Sequence, residues 1–275
     1  MDRKQPYSQQ DGGVEMPSPV LVATLREHIS AVNARIAAAA IRAGRSPEEI
    51  TLLAVSKTVE SDAIRAAIAC GMANFGENRV QEYLRKRDEL SGLSALGANA
   101  RLDAGVQATP EEAIRWHFIG RIQTNKARQL AGQPVLLHAL DRMALLQELV
   151  RLSDKTGCRW QALIEVNVSG EDSKAGVAPK ALETLLRAAS DSGCVSVLGL
   201  MTVAPDVPDP ELVRPVFRHL RELAVDIRSW KLDNVVMDHL SMGMSHDLDV
   251  AVEEGATIVR VGTAIFGARN RMHEG

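Results

Sequence analysis

The sequence predicts an α/β protein built as one (β/α)8 TIM-type barrel with an extra helix at its N-terminus. Short apolar runs alternate with amphipathic stretches of helical periodicity along most of the 275 residues. This alternation is typical of parallel strands whose two faces are covered by helices. There are eight such runs, the number that closes a barrel. A doubly wound open sheet is the competing architecture, and the alternation alone does not exclude it.

The candidate elements follow one another in regular order. A helix is expected over residues 20–43, because apolar side chains recur there at helical spacing, and Gly44 suits its end. The eight candidate strands are Ile50–Ser56, a weak run ending at Asn74–Phe75, Trp116–Ile119, Val135–Leu140, Ala162–Val168, Val195–Val203, Val235–Leu240 and Thr257–Val261. The helical stretches between them lie near residues 61–70, 78–90, 123–131, 142–156, 179–192, 210–229 and 247–254.

Two segments do not follow this alternation of predicted strands and helices. Residues 1–19 are polar and contain little apolar surface, so we expect a disordered tail, with the barrel domain comprising residues 20–275. Residues 91–109 are rich in Gly, Ala and Ser and have no clear periodicity. A loop of that length is usually mobile or functional, and we expect both segments to be mobile.

Composition narrows the possible partners. A formal charge of −3 and 3% aromatic residues provide neither the basic surface nor the stacking platform that nucleic-acid binding requires. No apolar run reaches membrane-spanning length, and the N-terminus does not have the pattern of a signal peptide. The three cysteines are odd in number and lack C-x-x-C spacing, which fits a reducing cytoplasm. The seven histidines show no metal-ligand spacing.

Polar residues and glycines occur where several of the strands end. In a barrel the functional site is built at the carboxyl ends of the strands, and phosphate commonly binds after strands seven and eight. Glycines let backbone N–H groups approach a phosphate, and hydroxyl groups donate hydrogen bonds to it. The strand-end residues that fit such a site are Lys57, Asn78, His117, Asn167, Ser241, Gly243, Arg260, Gly262 and Thr263.

Most of these residues also have a purely structural explanation. A lysine that ends a strand usually reaches solvent, and His117 between apolar neighbours is more often a satisfied core histidine than a catalyst. Ser245 is most simply the N-cap of the next helix. Arg260 inside an apolar strand is harder to explain in this way, because a buried guanidinium cannot lose its proton and has to be paired.

Seven segments, distributed from about residue 21 to 269, together point to one family. The chain resembles the pyridoxal phosphate homeostasis proteins, which are single-domain relatives of the alanine racemase barrel. No segment is specific alone, but their combination and order are. The segments are Ala54–Thr58, Asn74–Glu82, Trp116–Lys126, Glu165–Val177, Gly199–Met201, Leu240–Ser245 and Val259–Gly267.

The resemblance implies that the protein binds pyridoxal 5′-phosphate (PLP). Lys57 would hold the cofactor aldehyde as a Schiff base, and Arg260 would face the pyridine nitrogen. The phosphate would be bound by Ser241, Gly262 and Thr263. The other cofactor-binding residues expected are Asn78, His117, Asn167, Met201 and Gly243.

The resemblance further implies a cytoplasmic cofactor-binding protein of PLP and amino-acid homeostasis rather than a conventional enzyme. An arginine at the pyridine nitrogen favours the unprotonated ring and weakens carbanion stabilisation. A racemase also needs acid/base groups on both faces of the substrate carbon, and no second domain is expected here to supply one. A PLP-dependent amino-acid racemase remains the alternative. We expect a monomer or weak dimer, with PLP-dependent apoenzymes as recipients of the cofactor.

Overall fold

The computed structural model describes residues 17–91, 114–171 and 174–267. Within these ranges eight parallel strands follow one another around a closed barrel, and β8 pairs with β1. This closure confirms the (β/α)8 prediction over the open sheet. The strands are β1 (Thr51–Val55), β2 (Asn74–Glu77), β3 (Arg115–Phe118), β4 (Val135–Leu140), β5 (Trp160–Glu165), β6 (Val195–Met201), β7 (Val235–Ser241) and β8 (Ile258–Val261).

Helices cover the outside of the barrel. Most bury one apolar stripe against the strands, as amphipathic helices do in this architecture. Of the helices in the described part of the chain, none is both long and apolar enough to cross a membrane. They are α1 (Pro19–Arg42), α2 (Ser61–Ala69), α3 (Val80–Glu89), α4 (Met143–Thr156), α5 (Pro179–Ser192), α6 (Arg214–Arg228), α7 (Leu248–Glu253) and α8 (Thr263–Phe266), with 3₁₀ turns at Pro47–Glu49, Thr124–Gln129 and Pro210–Val213.

The predicted N-terminal helix is present as α1, and it packs beside the last part of the barrel. Its buried stripe includes Leu25, Ile29, Val32 and Ile36, which recur at intervals of three or four residues. The His28 ring bonds the Ile265 carbonyl through Nδ1 at 2.8 Å. The helix therefore covers α7 and α8, next to the strand that carries Arg260.

Except in β4, the strands begin or end one to three residues away from where they were expected, and two of the differences concern expected site residues or their neighbours. The second strand was expected to end at Phe75, but Asn74 is its first residue and it continues to Glu77, because residues 74–77 pair with β3. The fifth strand ends at Glu165 rather than at Val168. After it the chain turns, and Asn167 pairs through its backbone N–H with the carbonyl of Val177.

Two helical stretches also differ. The segment expected as a helix near 123–131 forms only 3₁₀ turns, and Ala127 is the buried residue among the six that form them. With so little apolar surface, an α-helix there would gain little from packing. The stretch near 210–229 is divided into a 3₁₀ turn and α6. Pro215 stands in the first turn of α6, where its missing N–H is not needed.

The barrel interior holds both apolar and charged side chains. On β8, Val259 and Val261 belong to the outer core, and the strand alternation turns Arg260 between them toward the interior. A second, smaller apolar cluster fills part of the interior, formed by Leu53, Ala139, Leu163, Met201 and Ile258. Residues 1–16 and 92–113, which include most of the expected mobile segments, lie outside the described part of the chain.

Candidate functional site

The turn that follows β1 presents Lys57 at the carboxyl end of the barrel. Lys57 is half-buried, directly after the fully buried Ser56. Thr58 has a φ of 64°, an unusual left-handed conformation for a β-branched residue. Such a conformation persists only where the surroundings hold it. Here the backbone N–H of Thr58 donates to Glu82 Oε1 at 2.6 Å.

A buried ion pair lies beneath this turn. Lys86 and Glu77 are both fully buried, with Lys86 Nζ 2.8 Å from Glu77 Oε1. The same ammonium donates to the Ser56 carbonyl and to Glu82 Oε1, each at 2.6 Å. The Ser56 hydroxyl donates to Glu77 Oε1 at 2.7 Å. Lys86 has three partners and Glu77 Oε1 has two, whereas the buried Oε2 of Glu77 has none among the described residues. Burial accordingly raises the pKa of Glu77 although Lys86 and Ser56 oppose the shift. These contacts hold Ser56 and Thr58, on both sides of Lys57.

Arg260 occupies the interior at the carboxyl end of β8. The residue is 5% exposed. Its guanidinium donates from Nη1 to the Ser241 hydroxyl at 2.7 Å and from Nη2 to the Thr202 carbonyl at 2.8 Å. Burial lowers the pKa of Arg260 to about 10, while the nearby carboxylates of Asp247 and Glu165 oppose the shift. Arg260 therefore stays charged at neutral pH.

Ser241 and His117 lie deeper than phosphate-binding or pocket-lining residues would be expected to lie. Ser241 is fully buried, and its hydroxyl lies 3.0 Å from His138 Nδ1 as well as beside Arg260. His117 is 1% exposed and bonds His138 Nε2 at 2.9 Å through Nδ1. Burial lowers the pKa of His117 to about 3, so the ring is neutral. The side chains of both residues contact other protein groups inside the barrel.

The loops after β7 and β8 bring small and hydroxyl-bearing residues together. Gly243 has a φ of 91°, and its carbonyl accepts from the backbone N–H of Arg260 at 2.9 Å. The Thr263 hydroxyl lies 3.3 Å from Ser245 Oγ. A Cβ built on Gly262 would lie 3.5 Å from Cβ of Val55, two residues before Lys57. The two loops thus adjoin the Lys57 turn.

Ser245 is not the N-cap of α7, contrary to the simplest explanation from the sequence. Asp247 is the residue that precedes α7, and its carboxylate accepts from the backbone N–H of Met244 at 2.6 Å. The Ser245 hydroxyl instead accepts from the backbone N–H of Ala264 at 3.4 Å. Sequence reasoning missed this position, although Ser245 closes one of the motif segments.

The remaining expected residues lie at the same end of the barrel. Asn78 follows β2 and approaches the end of β3 closely, since a Cβ on Gly120 would lie 2.5 Å from the Asn78 carbonyl oxygen. Met201 ends β6 and is 1% exposed in the inner apolar cluster. The Asn167 side chain organises its own loop by accepting from the N–H of Gly170 at 3.0 Å and donating to the carbonyl of Glu171 at 2.8 Å.

Glu165 is a further candidate that the strand-end pattern did not single out. It ends β5 and is 6% exposed. Burial and the neighbouring Asp141 raise its pKa to about 7, although Arg260 and Arg121 counteract this. A buried carboxyl that titrates near neutrality is a recurrent feature of functional sites. Because it lies last on an apolar strand, only the closed barrel reveals that it stands near Arg260.

Replacing Glu165 with glutamine is expected to stabilise the protein increasingly as pH rises above 4.5, up to about pH 7. The pKa is raised from 4.5 to about 7 on folding. Below pH 4.5 both states are protonated, and Glu165→Gln should change little. Between pH 4.5 and about 7 the carboxyl is ionised in the unfolded state but protonated in the folded state, so the wild type loses stability across this range. The variant should therefore gain up to about 3 kcal/mol, a difference that is complete by pH 8. Urea unfolding across pH 4.5–8.5 measures this. The exposed control Glu183→Gln should show no such pH dependence, and a gain independent of pH would contradict the assignment.

The site can be compared with known proteins. Residues 28–270 match the family described as "Alanine racemase, N-terminal domain". A pyridoxal phosphate homeostasis protein of Aquifex aeolicus is 46% identical over 243 residues, covering 88% of this chain and 97% of the relative. An unknown protein from Bifidobacterium adolescentis superimposes with a TM-score of 0.80 at 33% identity, covering 92% of this chain and 98% of that one.

A further solved structure is that of PipY from Synechococcus elongatus, which was determined with PLP bound. It is 30% identical to this chain, with a TM-score of 0.71, and the match covers 88% of this chain and all of PipY. The similarity thus extends over nearly the whole length of each relative rather than over one shared motif. The chain belongs to the family of the pyridoxal phosphate homeostasis proteins, whose barrel corresponds to the N-terminal domain of alanine racemase.

Proposed function

We propose that this protein binds PLP as a Schiff base on Lys57 and serves intracellular PLP and amino-acid homeostasis. The observation that carries the proposal is the placement of Lys57 beside the loops of Gly262 and Ser245, with Arg260 inside the same end of the barrel. PipY, a relative of similar length, was solved with PLP bound. In this proposal the protein stores PLP in the cytoplasm, as a monomer or weak dimer, and passes it to PLP-dependent apoenzymes.

The residues present fit the chemistry of this cofactor. A half-buried lysine can reach an aldehyde that enters the barrel mouth, and the hydroxyl of Thr263 and the N–H of Gly262 suit a phosphate. Ser245 joins these two as a phosphate-binding candidate. We assign Ser241 to the support of Arg260, because its hydroxyl is already engaged by Arg260 and His138.

The charge of Arg260 determines what the bound cofactor can do. PLP supplies an aldehyde that a lysine amine can attack and a pyridine ring that can act as an electron sink. Arg260 is charged and can only donate a hydrogen bond, so it favours an unprotonated ring nitrogen. Arg260 therefore weakens the use of the cofactor as an electron sink.

Purified protein is expected to carry PLP covalently on Lys57. Absorbance in the visible range should be present, and borohydride should fix the cofactor to the peptide containing Lys57, as peptide mapping will show. Lys57→Ala should lose both signals because no amine remains to form the bond. The matched control Lys180→Ala removes an exposed lysine of α5 and should retain them. An unchanged spectrum in Lys57→Ala would refute the attachment site.

Thr263→Val is expected to weaken PLP much more than pyridoxal. The substitution keeps the side-chain shape but removes a hydroxyl that we assign to the phosphate. Losing one hydrogen bond to a charged group should cost about 1.5–3 kcal/mol, or roughly 10- to 150-fold in Kd. Titration with PLP and with pyridoxal measures the difference. Thr51→Val, at the amino end of β1, is the control and should affect neither ligand. Equal weakening of both ligands by Thr263→Val would contradict the phosphate assignment.

A second candidate function is an amino-acid racemase, and Glu165 is the observation in its favour. Its carboxyl, with a pKa of about 7, could move a proton near the barrel mouth. We expect the homeostasis function instead, because Arg260 leaves a weak electron sink. Purified protein with a panel of L- and D-amino acids should then show no racemisation, transamination or decarboxylation at an enzymatic rate. Turnover at roughly 1 per second or faster, abolished by both Lys57→Ala and Glu165→Gln, would establish the enzyme.

A further inference from the structure

Five polar residues form one continuous hydrogen-bonded chain through the barrel interior. It runs from Arg260 on β8 to Ser241 on β7, crosses the barrel to His138 on β4, continues to His117 on β3 and ends at Asn74 on β2. The four contacts measure 2.7, 3.0, 2.9 and 3.3 Å in that order. Asn74, at the amino end of its strand, is half-buried, whereas the other four are at most 5% exposed.

The two end residues of this hydrogen-bonded chain, Arg260 and Asn74, set the donor-to-acceptor direction of every hydrogen bond in it. The Arg260 guanidinium can only donate, and the Asn74 amide oxygen that faces His117 Nε2 can only accept. Arg260 therefore donates to Ser241 Oγ, and the serine hydrogen is left to bond His138 Nδ1. A neutral imidazole that accepts at one nitrogen carries its proton on the other.

It follows that both rings carry the proton on Nε2. His138 then donates from Nε2 to His117 Nδ1, and His117 donates from Nε2 to Asn74 Oδ1. In the opposite direction the Ser241 hydroxyl would accept twice, and its own hydrogen would have no acceptor within the chain. That hydrogen would be buried without a partner, at a cost of about 1–3 kcal/mol.

We propose that His138 and His117, each fixed as the neutral Nε2–H tautomer, are positioning residues that orient Arg260 through Ser241. The function of Arg260 toward the cofactor rests on the proposed function, whereas the tautomers do not.

The hydrogen-bonded chain can act on Arg260 because it allows the Ser241 hydroxyl only one orientation. When His138 accepts the hydroxyl hydrogen, a lone pair of Ser241 Oγ is left for Nη1, while the carbonyl of Thr202 holds Nη2 at 2.8 Å. Two acceptors on neighbouring strands then fix the plane of the guanidinium.

The electrostatic surroundings keep both rings neutral. Burial lowers the pKa of His117 and His138 well below its ordinary value. Arg115 acts in the same direction on His117, and Arg260 on His138. His239 lowers the pKa of both rings as well, and His117 lowers that of His138. An imidazolium in the chain would place a second buried cation close to Arg260.

The ring tautomers are the first test, and cofactor-free protein suffices for it. In protein labelled with ¹⁵N-histidine, two-bond correlation spectra at pH 7.5 distinguish the Nε2–H tautomer, the Nδ1–H tautomer and the imidazolium. His117→Gln and His138→Gln assign the two signals. Both rings should be Nε2–H, and an Nδ1–H ring or an imidazolium at either position would overturn the proposal.

Substitutions of residues in the hydrogen-bonded chain test whether it orients Arg260. Ser241→Ala and His138→Phe should each weaken PLP at least about fivefold and shift its absorption maximum in the same direction as Arg260→Lys. Leu137→Ala truncates a fully buried side chain on the outer face of the same strand. It should lower stability without shifting the maximum. Asn74→Asp keeps an acceptor and should preserve the wild-type spectrum, whereas Asn74→Leu should shift it.

These results separate the two proposals. If the wild type binds no PLP on Lys57, the proposed function fails. The measured tautomers then still show whether the hydrogen bonds run in the proposed donor-to-acceptor direction. If the wild type binds PLP and Ser241→Ala leaves both the affinity and the absorption maximum unchanged, the positioning role is refuted and the proposed function stands. Should His138→Phe fail to fold, Ser241→Ala and the Asn74 pair still give the answer.

Discussion

The burial of the Arg260 charge inside the barrel is the constraint on which much of the site depends. A guanidinium cannot escape burial by losing its proton at physiological pH, so it has to find acceptors. β7 supplies the Ser241 hydroxyl, and Thr202, which directly follows β6, supplies its carbonyl. Satisfying Ser241 in turn requires His138 from the opposite wall of the barrel. One charge thereby introduces a polar chain into an interior that branched apolar side chains usually fill.

The turn that carries Lys57 also depends on buried charges that need partners. It follows β1, the strand that pairs with β8. Thr58 is held at a positive φ, and the carboxylate of Glu82 that accepts from its N–H is itself bound to Lys86. Because Lys86 and Glu77 are fully buried, replacing Lys86 would remove the counter-ion of Glu77, whereas replacing Glu77 would leave Lys86 paired with Glu82. Lys57, which we propose as the cofactor lysine, thus lies in a turn with polar supports, while Gly262 lets the loop after β8 lie close to the end of β1.

The ends of the apolar runs predicted that the candidate residues lie together at one end of the barrel, but they did not predict the partners of each residue. Lys57 and Thr263 could be selected because strong apolar runs end just before them. Ser241 was predicted to bind phosphate, whereas its hydroxyl contacts Arg260 and His138. The simplest explanation of Ser245 was a helix N-cap, whereas its hydroxyl accepts from the N–H of Ala264. The position of a serine along the sequence does not reveal these contacts. Glu165 and His138 were missed because each lies within or at the end of an apolar run, where nothing in the local sequence marks an inward-facing polar side chain.

The sequence by itself determined the architecture, the number of strands and the family, because periodic apolar patterning and ordered motifs are local features of the chain. Only the tertiary structure decided which polar groups meet, because barrel closure joins residues that are far apart in sequence. His138 and Ser241 are 103 residues apart and lie on strands that do not pair. Their hydrogen bond exists because the eight strands of the closed barrel point both side chains toward the same narrow interior.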